Sequence, residues 1–368
     1  MPRFINKKEL KSIKVALIKQ DIYSDLYIAK PGDKDFFKKS PRRSGPLGLV
    51  ETFDCDFFIV KTEPDDECNL WRQKITEAGH KDEAWWKDIP YSRSCNGLTN
   101  SDCAIDLNDI PFEEYDIIIS FDISVPKRIV KQFPGQLWCY FISEPPLTAW
   151  KESWTKPLHG YDIFLTQMFG KEESFSINSK LQIQSHIINM PYVMASSTTY
   201  KKLFGFEKSK SQQSKSKPIA IMPPYAFADL DDNHRAVLGD LFDLKSASGN
   251  IDRYLGNLFD ADYYLRPGTR AKFGNETIEA VASGCLFVSS THGWKNRIFD
   301  VPLTRLKDKD TNNQIKVLKS LVDQFHKNKD LFVSAKQLQK KRLDRICYWN
   351  PILILLDKLE EKKLRQFI

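Results

Sequence analysis

The sequence lacks several features that would place it in a specialised class of protein. None of its 368 residues belongs to an uninterrupted apolar run of about 18 residues, so no segment is predicted to span a membrane. The basic N-terminal segment, residues 1–14, has no apolar stretch of the kind found in signal peptides. The seven cysteines are odd in number and never occur as Cys-x-x-Cys. We therefore expect reduced, mostly structural thiols in a cytoplasmic protein.

Charge and composition exclude other classes. A hydrophobic content of 41% and a charged content of 28% are typical of a globular protein rather than a disordered or fibrous one. The net charge of +7 suits anionic ligands, but the lysine-rich stretch 208–217 contains no aromatic residue, which argues against a nucleic-acid partner. A chain of 368 residues exceeds what one hydrophobic core usually serves, so two domains are expected.

The hydrophobic pattern predicts two α/β domains with parallel sheets. Apolar, unalternating runs indicate strands that are covered on both faces, which is typical of parallel sheets with flanking helices. In the N-terminal part these runs are residues 14–18, 56–60, 115–121, 137–142 and 161–166, with a short helix at 125–133. After residue 217 the pattern restarts with a strand at 218–222 and helices at 231–242, 311–326 and 338–348. Asn350-Pro351 is predicted to end the last of these helices, and residues 352–367 to form a final helix.

The domain boundaries follow from a change of composition. Residues 207–217 contain only charged and polar side chains and are predicted to be a linker. This gives an N-terminal domain at 1–206 and a C-terminal domain at 218–349, with the final helix, 350–368, expected to pack back on the first domain. Contact of its charged end, 358–365, with an anionic bilayer at the inner face of a membrane is the alternative.

The segment 263–290 carries the strongest functional signal. It reads as a strand ending at Pro267-Gly268, a loop with Arg270 and Lys272, a helix capped by Asn275, and a buried strand after Gly284. Cations between the carboxyl end of a strand and the N-terminus of a helix are typical of phosphate binding in open α/β sheets. Glu276 and Glu279 share a side of this helix outside its apolar face, where carboxylates accept hydrogen bonds from ribose hydroxyls. The expected nucleotide-binding residues are Arg266, Arg270, Lys272, Asn275, Glu276, Glu279 and His292.

These residues resemble the C-terminal motif of retaining GT-B glycosyltransferases of the family 4 type. The shared pattern is Phe273-Gly274, Glu279-Ala280, Ala282 and Gly284, followed by an apolar strand. The resemblance implies a GT-B fold, in which two Rossmann-like domains with parallel sheets face each other across a cleft. It also implies that Glu279 contacts the donor's ribose, while the family's earlier glutamate, which contacts the donor sugar, is replaced by Ala271.

A second stretch is similar to inverting α-1,3-fucosyltransferase-type enzymes. The strand 137–142 is followed by Glu144 and two prolines, and Tyr161-Asp162 precedes the next strand. In that family the glutamate is the general base, a role that the similarity implies for Glu144. A carboxylate partly desolvated beside Trp138 and Pro145 would have the raised pKa that this role needs. His159 is the alternative base, and for Glu144 the alternative is a helix cap or a salt bridge.

We therefore expect a glycosyltransferase that moves a sugar from a nucleotide-diphosphate donor to a hydroxyl of a glycan or lipid-linked acceptor, in surface polysaccharide synthesis. No metal and no cofactor are expected, because the Asp-x-Asp pattern at Asp229-Leu-Asp231 precedes a predicted helix and is more simply a cap. The replacement at Ala271 favours inversion over retention. The alternatives are a retaining enzyme of the same fold and a non-catalytic protein that binds nucleotide sugars.

Overall fold

The computed structural model describes residues 6–20, 47–60, 105–121, 125–142, 160–166, 186–189, 196–204, 217–228, 230–246, 251–267, 275–290, 304–307 and 310–365. The chain divides into two compact units, Met1–Met194 with Asn350–Ile368, and Ala195–Trp349. The predicted linker, 207–217, lies outside the described residues except for Lys217. Within the described ranges, no helix has both the length and the apolar character that a membrane crossing requires.

The first unit is built on a parallel sheet of six strands in the order β2-β1-β3-β4-β5-β6. The strands are β1 (Lys14–Gln20), β2 (Asp54–Val60), β3 (Ile117–Phe121), β4 (Leu137–Ile142), β5 (Ile163–Thr166) and β6 (His186–Asn189). The helices of this unit are α1 (Lys7–Lys11), α2 (Leu47–Thr52), α3 (Lys127–Gln132) and, at the end of the chain, α11 (Asn350–Arg365). One face of the sheet is covered by an aromatic cluster in which the ring of Trp138 lies 5.1 Å from that of Phe112 and 6.3 Å from that of Tyr161.

The second unit has a parallel sheet of five strands in the order β11-β10-β9-β7-β8. The strands are β7 (Ile219–Met222), β8 (Asp243–Ser246), β9 (Tyr263–Arg266), β10 (Leu286–Ser290) and β11 (Arg305–Leu306). The helices are α4 (Ser197–Phe204), α5 (Pro224–Ala228), α6 (Asp232–Leu241), α7 (Ile251–Asp260), α8 (Asn275–Ser283), α9 (Thr311–Lys327) and α10 (Lys329–Leu343). Because helices cover both faces, β7 and β9 are buried along their whole length, as their unbroken apolar runs predict.

An aspartate stands directly before β3, β5 and β9, and each one closes the amino end of a neighbouring strand. The carboxylate accepts a hydrogen bond from a backbone N–H near the start of that strand, which would otherwise lack a ladder partner. The pairs are Asp116 with Lys14 at 3.0 Å, Asp162 with Trp138 at 2.9 Å, and Asp262 with Ile219 at 3.2 Å.

The end of the second unit differs from the sequence prediction. Asn350-Pro351 does not break the chain's helical course: α10 continues through a π-helical turn, Asp344–Trp349, directly into α11. A proline inside a helix lacks a donor and crowds the carbonyl four residues earlier, here that of Cys347. We attribute the continuation to the π turn, whose wider spacing gives the ring of Pro351 room without ending the helix.

Four of the seven cysteines, Cys55, Cys139, Cys285 and Cys347, lie in the described part of the chain, where they are buried and form no disulfide. Burial raises the pKa of the Cys55, Cys139 and Cys347 thiols, so these three stay protonated at neutral pH. Buried thiols of this kind pack as small apolar groups, in agreement with the structural role expected from the sequence.

Candidate functional site

The candidate site lies at the carboxyl edge of the second unit's sheet. α8 follows β9, α9 follows β11, and α6 runs back to the start of β8, so the N-termini of these helices, which bear partial positive charge, lie toward this edge. β9 and β10 are adjacent in the sheet, with Arg266 beside Ser289 at their ends. Parallel α/β sheets bind ligands at this edge because backbone N–H groups and strand-end side chains converge there.

Arg266 ends β9 and is held by the first turn of α8. Its guanidinium Nη1 donates to Thr277 Oγ1 at 3.0 Å, and Nη2 lies 3.6 Å from Glu276 Oε1. The side chain of Arg266 is 2% exposed, whereas that of Glu276 is 25% exposed. Burial lowers the pKa of Arg266 to about 10 and the charge of Glu276 partly offsets this effect, so the group is cationic at neutral pH.

Glu279 is completely buried, which differs from the exposed side of the helix that the sequence pattern indicates. The reason is that α8 is surrounded: it contacts β9 and β10 on one side and α4, α7 and α10 on others. Ile278, Ala280 and Val281 are buried as well, so the helix has no solvent face in this stretch. An ordinary surface glutamate is thereby excluded, and a carboxylate in such surroundings needs polar contacts to stay charged.

A second buried polar pair lies beside this cluster. Ser290 ends β10, and its hydroxyl accepts a hydrogen bond from Gln314 Nε2 in the first turn of α9 at 3.2 Å. Both side chains are completely buried. Ser290, Gln314 and Thr277 were not predicted as site residues. The available signal was a polar residue at the end of an apolar strand or in the first turn of the next helix.

The N-terminal ends of α6 and α9 are joined to each other at the same edge. Asp231 caps α6 by accepting from the His234 N–H at 2.8 Å, as the sequence predicts. The His234 ring then bridges Asp231 Oδ1, at 2.9 Å from Nδ1, and Asn312 Oδ1, at 3.0 Å from Nε2. Asp229 lies outside the described residues, and within them no group of three or more His, Cys, Asp or Glu side chains is arranged to hold a metal ion.

The guanidinium of Arg235, also in α6, contacts Phe227 of α5. Its guanidinium lies 5.1 Å from the centre of the Phe227 ring, and its Nε donates to the Phe227 carbonyl at 3.3 Å. These contacts tie α5 to α6. They favour a structural role for Arg235 over the phosphate contact that its position in the sequence also allows.

The structure brings part of the predicted site together. Arg266 contacts Glu276, and Glu279 is buried three residues further along α8. Asn275 is the first residue of α8 rather than the residue before it, a difference of one position that is common at helix ends. The remaining predicted residues lie outside the described part of the chain: Glu144, His159, Arg270, Lys272 and His292.

No protein-family model matches this chain, and no curated protein matches it in sequence. Solved structures are similar to it in fold. The N-terminal domain of trehalose-6-phosphate phosphatase from Candida albicans is 11% identical, with a TM-score of 0.51 over 95% of this chain and 97% of that one. Sucrose-phosphate synthase from Thermosynechococcus elongatus is 12% identical, with a TM-score of 0.48 over 96% and 100%. A glycosyltransferase from Rickettsia africae is 10% identical, with a TM-score of 0.49 over 95% and 98%.

The likeness to the Candida domain extends over nearly the whole of both chains, and it shows a shared fold. Together with the two parallel sheets, each within its own α/β unit, it confirms the fold class predicted from the sequence. The chain has the GT-B fold.

Proposed function

We propose that this protein is a glycosyltransferase that binds a nucleotide-diphosphate sugar at the carboxyl edge of its second sheet. The observation that carries the proposal is the cluster at the start of α8, where buried Arg266 and Glu279 and half-buried Glu276 meet a helix N-terminus. A helix N-terminus attracts the diphosphate, and carboxylates beside it accept hydrogen bonds from sugar and ribose hydroxyls. The motif resemblance at Glu279 and the GT-B fold support the same function.

In this proposal the second unit binds the donor and the leaving diphosphate. Arg270 and Lys272, which follow Arg266 in the sequence, are the cations expected to stabilise that leaving group. Glu144 is the expected general base that accepts the proton of the acceptor hydroxyl, with inversion at the sugar carbon, and His159 is its alternative. The acceptor class is a hydroxyl of a glycan or of a lipid-linked saccharide, as in surface polysaccharide synthesis, and neither a metal nor a cofactor takes part.

Nucleotide binding is the first test. We expect one of UDP, GDP, ADP, CMP or dTDP to raise the melting temperature, because a ligand that binds only the folded state stabilises it. Glu279→Gln should weaken that nucleotide's binding by about tenfold, the scale of one lost hydrogen bond to a charged group. Asp323→Asn, an exposed acid of the same unit, is the matched control and should bind like wild type. Absence of binding by all five nucleotides would remove the basis of the proposal.

Turnover is the second test. With the matching sugar nucleotide and a panel of saccharide acceptors, Glu144→Gln should lower kcat by about 100-fold or more while leaving nucleotide affinity unchanged. The anomeric configuration of the product, read by NMR, distinguishes inversion from retention. Binding without turnover in wild type would instead identify a non-catalytic nucleotide-sugar-binding protein.

A further inference from the structure

The guanidinium of Arg266 is engaged by contacts within the protein. Its side chain is 2% exposed, and its guanidinium is directed at the protein, toward Thr277 Oγ1 at 3.0 Å and Glu276 Oε1 at 3.6 Å. Glu276, its partner, is the more accessible of the two at 25% exposure. Of these two side chains, the carboxylate is therefore the one that solvent reaches, and not the guanidinium.

The carboxylate of Glu276 stands where a diphosphate is expected, which poses an electrostatic problem. The N-terminus of α8 favours an anion, and Glu276 in its first turn is one already. A second anion, the diphosphate, would be repelled by an uncompensated carboxylate at short range. Arg266 supplies the compensating positive charge. Because its side chain is buried, solvent screens its attraction to Glu276 little.

We propose that Arg266 is a positioning residue of the donor site, which fixes the Glu276 carboxylate and cancels its charge. Glu276 can then accept hydrogen bonds from donor hydroxyls without repelling the diphosphate. This inference rests on the proposed function, and it changes the role predicted from the sequence, where Arg266 was grouped with the cations that bind the nucleotide directly. Thr277 contributes by holding Nη1, so the guanidinium keeps one orientation.

Substituting Arg266 and Glu276 together distinguishes charge compensation from a direct phosphate contact. If Arg266 acts by compensating the negative charge of Glu276, then removing Arg266 weakens nucleotide binding mainly because the Glu276 carboxylate now repels the diphosphate. Removing the carboxylate charge as well should then restore much of the affinity. If Arg266 binds phosphate directly, or only packs α8 against β9, Glu276→Gln has nothing to restore.

The experiment is a double-mutant cycle of Arg266→Met and Glu276→Gln, with dissociation constants measured by calorimetry. The probe is whichever of UDP, GDP, ADP, CMP and dTDP stabilises wild type most. We expect Arg266→Met to weaken binding by about tenfold or more, and Glu276→Gln alone by about threefold. The double variant should bind within about threefold of Glu276→Gln. Circular dichroism and melting temperature establish that each variant is folded.

Each outcome decides the matter. A double variant that binds no better than Arg266→Met, or an Arg266→Met that binds like wild type, overturns the inference while the proposed function stands. Wild type that binds none of the five nucleotides overturns both. Should Arg266→Met fail to fold, Arg266→Lys keeps the charge and should bind within about threefold of wild type; a tenfold loss with the charge retained would overturn the inference.

Discussion

At the scale of single residues, the side chain of Gln339 makes the two backbone hydrogen bonds at Phe287 that a neighbouring strand would make. In the part of the chain that the structure describes, β11 pairs with β10 at Ser289 and Ser290 and not at Phe287. There the Gln339 amide donates to the Phe287 carbonyl at 2.8 Å and accepts from the Phe287 N–H at 2.9 Å. One completely buried side chain thus satisfies both polar groups of a buried backbone position.

This arrangement predicts a large loss of stability from a change of similar volume. Gln339→Leu leaves the N–H and C=O of Phe287 without partners, and we expect it to lower the free energy of unfolding by about 2–4 kcal/mol. Gln337→Leu, an exposed position on the same helix, is the control and should change it by less than about 0.5 kcal/mol. Urea unfolding measures both. Equal effects of the two substitutions would contradict the role given to Gln339.

Side-chain pairs of this kind were beyond the reach of the sequence. Gln339 and Phe287 are 52 residues apart, and no local pattern joins them. The same holds for Arg266 and Thr277, whose contact depends on how α8 packs over β9. What the sequence does show locally is capping: Asp231 before α6 was predicted to be a cap, and it is one.

At the scale of elements, the last helix, α11, is fastened to the first unit by two consecutive lysines. Lys362 Nζ lies 2.7 Å from Asp162 Oδ1, and Lys363 Nζ lies 2.8 Å from Asp116 Oδ1. Those aspartates are the ones that close the amino ends of β4 and β1. The exposed charges of this stretch are of both signs, with Asp357, Glu360 and Glu361 beside Lys363 and Arg365.

The two lysines make a matched pair for measurement. Lys362 and Asp162 are 21% and 25% exposed, so Lys362→Met should lower the free energy of unfolding by about 1–2 kcal/mol. Lys363 is 52% exposed, and solvent screens its pair with Asp116, so Lys363→Met should cost less than about 1 kcal/mol. Denaturant unfolding of the two variants tests the order. A larger loss at Lys363 would show that burial does not set the strength of these pairs.

Most elements could be predicted because their signals are local. The unbroken apolar runs at β3, β4 and β7 mark buried strands, and the spacing of apolar residues marks α9. β6 (His-Ile-Ile-Asn) and β8 (Asp-Leu-Lys-Ser) were not predicted, because each has polar residues at both ends and at most two consecutive apolar residues. The interpretation of Pro351 was wrong because a π turn cannot be recognised from local sequence.

At the scale of the whole molecule, stability should fall in alkaline solution. Burial raises the pKa of Cys139 and Cys347, and likewise that of Tyr263. Below the ordinary thiol pKa of about 8.5 both the folded and the unfolded states are protonated, and pH has no effect through these groups. Above it the unfolded state loses protons and the folded state does not, so each buried thiol lowers stability by about 1.4 kcal/mol per pH unit.

We therefore expect the free energy of unfolding, measured by urea titration, to be lower at pH 10 than at pH 8. Cys139→Ala in the first unit and Cys347→Ala in the second should each make the free energy of unfolding of that unit fall less steeply as the pH rises. The comparison of slopes separates this effect from any constant loss that the smaller side chain causes. An unchanged slope in both variants would show that these thiols do not carry the pH dependence.

The fold class could be predicted from sequence because it depends on repeated local patterns, whereas the site could be predicted only in part. Glu276 was inferred from its place at the start of a helix, and Glu279 from that place and from a motif resemblance. The structure has both in the first turns of α8, where Arg266 contacts Glu276. The burial of Glu279 was not predicted, because it results from α4 and α10 packing on a face that the helix's own sequence marks as polar.

The return of α11 to the first unit has a consequence for how the protein is made. A ribosome releases residues in order, so the β1–β6 sheet is complete while more than a hundred residues that build the second unit, Ala195–Trp349, are still to come. Until residues 362 and 363 leave the ribosome, the ion pairs of Asp162 with Lys362 and of Asp116 with Lys363 cannot form, and the first unit lacks its last helix. The first unit therefore cannot be completed before residues 362 and 363 have been synthesised, after the whole of the second unit.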